Sequence, residues 1–166
     1  MILGLSLAAF TILHVLISVA AIAAGIVVVI GMLRAERLSG WTAAFLAFTL
    51  LTSLTGFLFP IKGFTPALGT GVVSTVILLT ALWAIYGGHL GGAWRWIYAV
   101  CAVAALYLNV LVLIVQAFLK VPPLHLLAPT GSEPPFLVAQ IAALAIAVIV
   151  GFYVVHRFRP AGPHLA

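Results

Sequence analysis

Six polar side chains stand inside long apolar runs of this chain: His14, Ser53, Ser74, Asn109, Gln116 and Gln140. In hydrocarbon, hydroxyl, amide and imidazole groups need partners, because no water is present to satisfy them. They are therefore candidate ligand-binding residues, suited to the polar head of a lipid or quinone-like molecule whose tail lies between helices. His14 has the widest chemistry. Its neutral ring can ligate haem iron through one nitrogen while the other donates to a carbonyl or hydroxyl. It can equally gate a path or bind the polar head of a quinone or lipid. The same six residues also fit a structural reading, in which they bond one another and fix helix register.

Other chemistry is narrowed by what the chain lacks. It contains no Asp, and its two carboxylate side chains, Glu36 and Glu133, fall on opposite sides of the spans defined below, so no paired-carboxylate site or Ser-His-Asp triad can be assembled. No catalytic residue is assigned, and a non-enzymatic role is expected. Cys101 is the single cysteine, which leaves no intramolecular disulfide and no thiolate metal site, and no metal is expected. A bis-His haem needs a second histidine at the depth of His14. His89 and His156 sit at the far ends of their spans, so only His125 is available, and haem b is kept as the alternative. The run Gly87-Gly88-His89-Leu90-Gly91-Gly92 lacks the Lys and the strand of a phosphate loop and reads as a flexible turn.

The elements that must position these residues follow from the distribution of charge. An apolar fraction of 66% with 5% charged residues leaves too little polar surface for a water-soluble fold. Charges and prolines bound five apolar runs at about 2–33, 41–59, 66–86, 95–119 and 136–156. Each is long enough to cross hydrocarbon, which takes about 20 residues. The expected fold is all-α, a single transmembrane domain over 1–166 built as a five-helix integral membrane bundle. The first run has no basic n-region and is too long for a signal-peptide core, so it reads as a retained helix.

Arg34, Arg37, Arg95, Arg157 and Arg159 lie on one side of the spans and Lys62 and Lys120 on the other. Cytoplasmic loops carry the basic excess, so the N-terminus is expected outside and the C-terminus in the cytoplasm. Trp41, Trp83, Trp94 and Trp96 gather at the Arg-rich ends as interfacial anchors. The net charge of +5 comes from seven dispersed basic residues with no basic stripe, so nucleic acid is not an expected partner.

Depth counting places His14, Ser53, Ser74, Gln116 and Gln140 in the outer half of the membrane, with Asn109 about 10 Å deeper than Gln116 at 1.5 Å per residue. Above them lies an outer loop region carrying Lys62, His125 and Glu133. Its longest segment, 120–135, is bracketed by Pro122-Pro123 and Pro134-Pro135 around an apolar centre, and is expected to lie on the membrane surface or fold over the bundle. Small and hydroxyl residues mark inward faces: Thr11, Ser18, Ala21 and Gly25 in the first run, Thr49, Thr52, Ser53 and Gly56 in the second, Ala102 and Ala105 in the fourth, and Ala143, Ala147 and Gly151 in the fifth.

Residues 109–120 (NVLVLIVQAFLK) and 128–136 (APTGSEPPF) resemble small, uncharacterised multi-pass proteins of bacterial inner membranes. The resemblance implies that location and carries over no activity. Neither the paired intrahelical histidines of a cytochrome b561-like protein nor the Cys-x-x-Cys of a quinone-linked thiol oxidase is present. Two functional readings follow. One is a non-enzymatic accessory or binding subunit with an outer-half polar pocket for a lipid or quinone-like ligand or a partner; the other is a redox or transport protein using His14 as haem ligand or gating residue. Membrane lipid and a homo-oligomer or larger membrane complex are the expected partners.

Overall fold

The computed structural model describes residues 2–60, 63 and 66–159. They form α1 (Leu7–Leu33), α2 (Ser39–Phe57), α3 (Pro66–Leu82), α4 (Trp94–Lys120), α5 (Pro122–Leu127) and α6 (Pro134–Arg157), with a π-helical turn Trp83–Gly87 extending α3. Five helices are long and apolar enough to cross a membrane, all but α5. Most of the large side chains on the outside of the bundle are Leu, Ile and Val, with α6 presenting Val138, Ile141, Ile146 and Val148 at more than half exposure. Such a surface suits contact with lipid tails or with another apolar protein face.

Several helix limits differ from the expected runs, each for a local reason. The first helix begins at Leu7 rather than near residue 2, because Ile2 and Leu5 exchange both backbone hydrogen bonds around Leu3 and Gly4, which have φ of 50° and 81°. Ser6 then caps α1 by accepting from the Ala9 N–H at 3.2 Å. At the other end the Glu36 N–H returns to the Gly31 carbonyl at 2.9 Å while Ala35 takes a φ of 60°, so the chain reverses and α2 starts early, at Ser39. α6 starts at Pro134 because two prolines suit a first helical turn, where no N–H is needed.

The Gly87–Gly92 segment is wound rather than loose. The Gly88 N–H reaches the Trp83 carbonyl at 2.7 Å and the Leu90 N–H the Ala84 carbonyl at 3.0 Å, with His89, Leu90 and Gly92 in the left-handed region. Trp94 lies directly on Gly88, where a Cβ would stand 2.5 Å from its ring. The tryptophans thus hold the turn as well as marking the interface, and Trp41, Trp83 and Trp96 remain about half exposed at that end.

α4 is the central element, touching α1, α3, α5 and α6, while α2 bridges α1 and α3. Its buried face carries Tyr98, Ala99, Ala102, Val103 and Ala105, against Phe45 and Leu46 of α2 and Ala24, Val28 and Met32 of α1. Among lipid tails there is no hydrophobic gain from helix association, so close packing must supply it. Gly25 makes the closest approach: a Cβ there would lie 2.8 Å from the Phe45 ring and 2.9 Å from Leu106. α6 is peripheral, with Val154 its one fully buried residue, and rests on α4 and the edge of α1.

Candidate functional site

His14 sits about 10 Å along α1 from Leu7 at 1.5 Å per residue. Its Nδ1 lies 2.7 Å from Thr55 Oγ1 across the α1–α2 seam. The single Thr55 hydroxyl proton has the Leu51 carbonyl at 2.7 Å and the Thr52 carbonyl at 3.2 Å as acceptors besides His14 Nδ1. When that proton goes to the Leu51 carbonyl, Oγ1 accepts from the imidazole and His14 Nδ1 is the N–H donor. In the neutral ring, Nε2 is then left with its lone pair.

The ring is fixed from three directions. Phe59 meets it edge-on at 5.3 Å and 84°, and Phe10, one helical turn before His14, backs Phe59 at 5.1 Å. Gly56 supplies the space below: a Cβ there would stand 3.7 Å from His14 Cε1. Nε2 makes no hydrogen bond within the described structure, and His14 itself is half-buried. The result is an oriented ring at the α1–α2 seam.

The other five span residues do not join this group in one cavity; four of them form separate contacts along different seams. Ser53 donates to Ser74 at 3.4 Å between α2 and α3, both buried. Asn109 Nδ2 donates to Thr49 Oγ1 at 3.2 Å between α4 and α2, and Thr49 is wholly buried. Gln140 Nε2 donates weakly to the Leu111 carbonyl at 3.4 Å between α6 and α4. That carbonyl fixes which end of the amide is nitrogen, and the buried Oε1 is left without a partner. The Gln140 side chain borders a recess of about 320 Å³ shared with Tyr107, Leu111 and Phe136. Gln116 is half-buried on α4 and forms no hydrogen bond in the described structure.

In the loops, Lys62 lies outside the described residues. His125 belongs to α5 and its Nδ1 lies 3.3 Å from the Phe118 carbonyl, which ties α5 back onto the end of α4. The apolar segment is thus a short helix beside α4, with Leu126 and Leu127 exposed on it. Glu133 turns back on its own loop: Oε1 accepts from the Thr130 N–H at 3.0 Å and hydroxyl at 2.9 Å, and Oε2 from the Ser132 N–H at 3.1 Å. His125 and Glu133 are each engaged separately. Among the described residues no three His, Cys, Asp or Glu side chains gather as a metal site.

The Thr130 backbone N–H is the main cause that holds the Glu133 carboxyl at about 2, below its ordinary 4.5. Because the folded value is depressed, the order it lends this loop is complete above the ordinary carboxylate range and is lost as pH falls through about 2. The Thr130 amide resonance should therefore titrate with a midpoint near pH 2 and lose that titration in Glu133→Gln. A midpoint near the ordinary value would show that the loop bonds do not form.

Thr55 is the partner of His14 that sequence reasoning missed. A signal was present in antiparallel depth: His14 is 19 residues, about 28 Å, from Leu33, and Thr55 is 16 residues, about 24 Å, from Ser39. Comparison with protein-family models, curated proteins and solved structures finds no match to the chain.

Proposed function

We propose that this chain is a multi-pass protein of a bacterial inner membrane, N-terminus outside and C-terminus cytoplasmic, acting as a non-enzymatic accessory or binding subunit. Its ligand is a lipid or quinone-like amphiphile, or a membrane partner, whose hydroxyl or N–H donor meets His14 Nε2. The observation that carries the reading is the Leu51–Thr55–His14 chain of contacts, in which Nδ1 is taken as the donor and Nε2 has no partner among the described residues. A merely structural histidine in a span would be expected to use both nitrogens, since an unmet acceptor in hydrocarbon is costly. The excess of arginine at the opposite helix ends supports the orientation. Assembly as a homo-oligomer or within a larger membrane complex belongs to the same proposal, since five helices and a peripheral α6 leave ample lateral surface.

The test is nitrogen NMR of the ¹⁵N-histidine-labelled full chain in phosphatidylcholine nanodiscs. His14 should show a protonated Nδ1 and a bare Nε2, and titration with a short-chain benzoquinol should move Nε2 upfield as it accepts a hydrogen bond. Thr55→Val should release the tautomer and weaken binding by about threefold to tenfold, the worth of one hydrogen bond at about 0.6–1.4 kcal/mol. An Nε2 shift that ignores both the quinol and added phosphatidylethanolamine would overturn the amphiphile reading. A Soret band in the purified protein, lost in His14→Ala, would replace it with a haem-ligand role.

A further inference from the structure

Burial along one stripe of α4 changes abruptly halfway up the helix. Tyr98, Ala102 and Ala105 are at most 1% exposed, and the stripe continues at helical spacing through Asn109, Leu113, Gln116 and Lys120. None of these four is buried: Leu113 is 44% exposed, Asn109 and Gln116 are half-buried, and Lys120 is exposed. The neighbouring helices give the reason. At the Lys120 end, α1 stays with α2 through His14–Thr55 and Phe10–Phe59. α2 stays with α3 through Ser53–Ser74 and the Phe57 ring, which lies 3.0 Å from where a Gly71 Cβ would stand. α4 turns instead to α6, through Phe118–Phe136 and Gln140–Leu111. Beyond Asn109–Thr49, no hydrogen bond or ring contact among the described residues ties α4 to the other three helices.

The uncovered part of the stripe is polar. One end of the Asn109 amide meets Thr49, while its other end and both ends of the Gln116 amide have no partner among the described residues. The side-chain polar atoms buried there without a partner are the Tyr98 hydroxyl and Gln140 Oε1, so the unpaired Asn109 and Gln116 atoms lie open. Lipid tails would leave these amides bare at a cost, whereas water donates to them and accepts from them. From Lys120 to Asn109 the stripe runs 11 residues, about 16 Å, or half of a 30 Å hydrocarbon core. Below Asn109 the interior is shut: Thr49 and Phe45 are wholly buried, and the Phe45 ring closes on Gly25 beside Leu106.

We propose that a water-filled crevice opens at the Lys120 end of the bundle, between α4 and the α1–α2–α3 group, and reaches down to Asn109. Leu113 and Gln116 line it and Lys120 stands at its mouth. Its ligands are water and small neutral or anionic polar solutes, since the amides both donate and accept while the ammonium repels cations. A lipid tail would cover Leu113 and leave the amides unmet. A second copy of the chain brings no free anion to Lys120, because the Glu133 carboxylate is held by Thr130 and Ser132 of its own loop. The crevice is independent of any ligand at His14.

Thiol labelling of the full chain in phosphatidylcholine nanodiscs, with Cys101→Ser as background, tests it. Leu113→Cys and Val100→Cys form the decisive pair. The two residues are 44% and 45% exposed and lie seven and six residues from the nearer end of α4, but Val100 faces an apolar furrow beside α6. Leu113→Cys should react with the anionic sulfonatoethyl methanethiosulfonate about 100-fold faster than Val100→Cys, because a thiol held against lipid tails is ionised about 100-fold less. Gln116→Cys should match Leu113→Cys. Adding Lys120→Gln should slow the anionic reagent at Leu113→Cys by about threefold. Equal rates at Leu113→Cys and Val100→Cys would overturn the proposal, whether both are slow, with lipid or a second copy covering the stripe, or both fast, with neither face sealed from water. A rate that ignores Lys120→Gln would overturn the preference for anions.

Discussion

Gly25→Val should destabilise the bundle by about 3 kcal/mol, the upper part of the range for overpacking a filled interior. Even the first added carbon would sit 2.8 Å from the Phe45 ring and 2.9 Å from Leu106. Phe45 is fully buried, so its ring has nowhere to swing, and α1 must move off α2 and α4 together. Since helix association in lipid rests on packing rather than on escape from water, that displacement removes a large part of what holds the helices. The measurement is reversible unfolding of the full chain in mixed micelles by titration with sodium dodecyl sulfate. Gly40→Ala is the control, because nothing lies within 4 Å of the added carbon, and it should be neutral or slightly stabilising. Equal midpoints for Gly25→Val and Gly40→Ala would show that α1 does not approach Phe45 this closely.

The second large effect is expected at Tyr98, where two substitutions of one residue should differ in kind. The side chain is 1% exposed, its ring packing 5.9 Å from Phe158 and among the α1 and α4 core residues. Its hydroxyl is buried, and the Thr42 hydroxyl approaches it without reaching hydrogen-bond geometry. Tyr98→Ala removes the whole ring and should cost about 3 kcal/mol in lost contacts and cavity. Tyr98→Phe removes only an unsatisfied group and should be neutral or stabilising, by up to about 1 kcal/mol. The same micelle titration reads both. A loss of more than about 1 kcal/mol in Tyr98→Phe would mean that the hydroxyl has a partner, with Thr42 the first to examine by double-mutant cycle.

These two sites show how differently parts of the fold could be read in advance. Gly25 was recognisable as an inward position because Ala21 and Gly25 continue one stripe of α1, and small residues on a membrane helix signal close approach. The residue it approaches was not recognisable. Phe45 is one of several large apolar residues on α2, and only the relative rotation of α1 and α2 selects it. Tyr98 lies beside Trp94 and Trp96 in sequence and resembles an interfacial aromatic, yet α4 turns it inward while Trp96 faces out.

The polar residues divide in the same way. That Ser53, Ser74, Asn109 and Gln140 would engage partners followed from the cost of leaving them unmet in hydrocarbon. Depth counting brought His14, Ser53, Ser74, Gln116 and Gln140 to one half of the membrane, but a shared depth does not specify a shared azimuth around a bundle some tens of ångströms across. The outcome is a set of separate contacts, with Thr55 rather than an amide facing His14.

From its letters alone this protein is an all-helical chain with five spans long and apolar enough for a bilayer, with its arginines and tryptophans at one end of them and its polar candidates named. Those properties are local: each depends on a run of about 20 residues and on what a charge or a proline costs inside it. Tertiary structure decided which side chain faces His14 across the α1–α2 seam and which aromatic ring closes on Gly25. Each of these depends on how helices far apart in sequence rotate and tilt against one another, and packing among lipid tails sets that rotation through contacts at a few small residues.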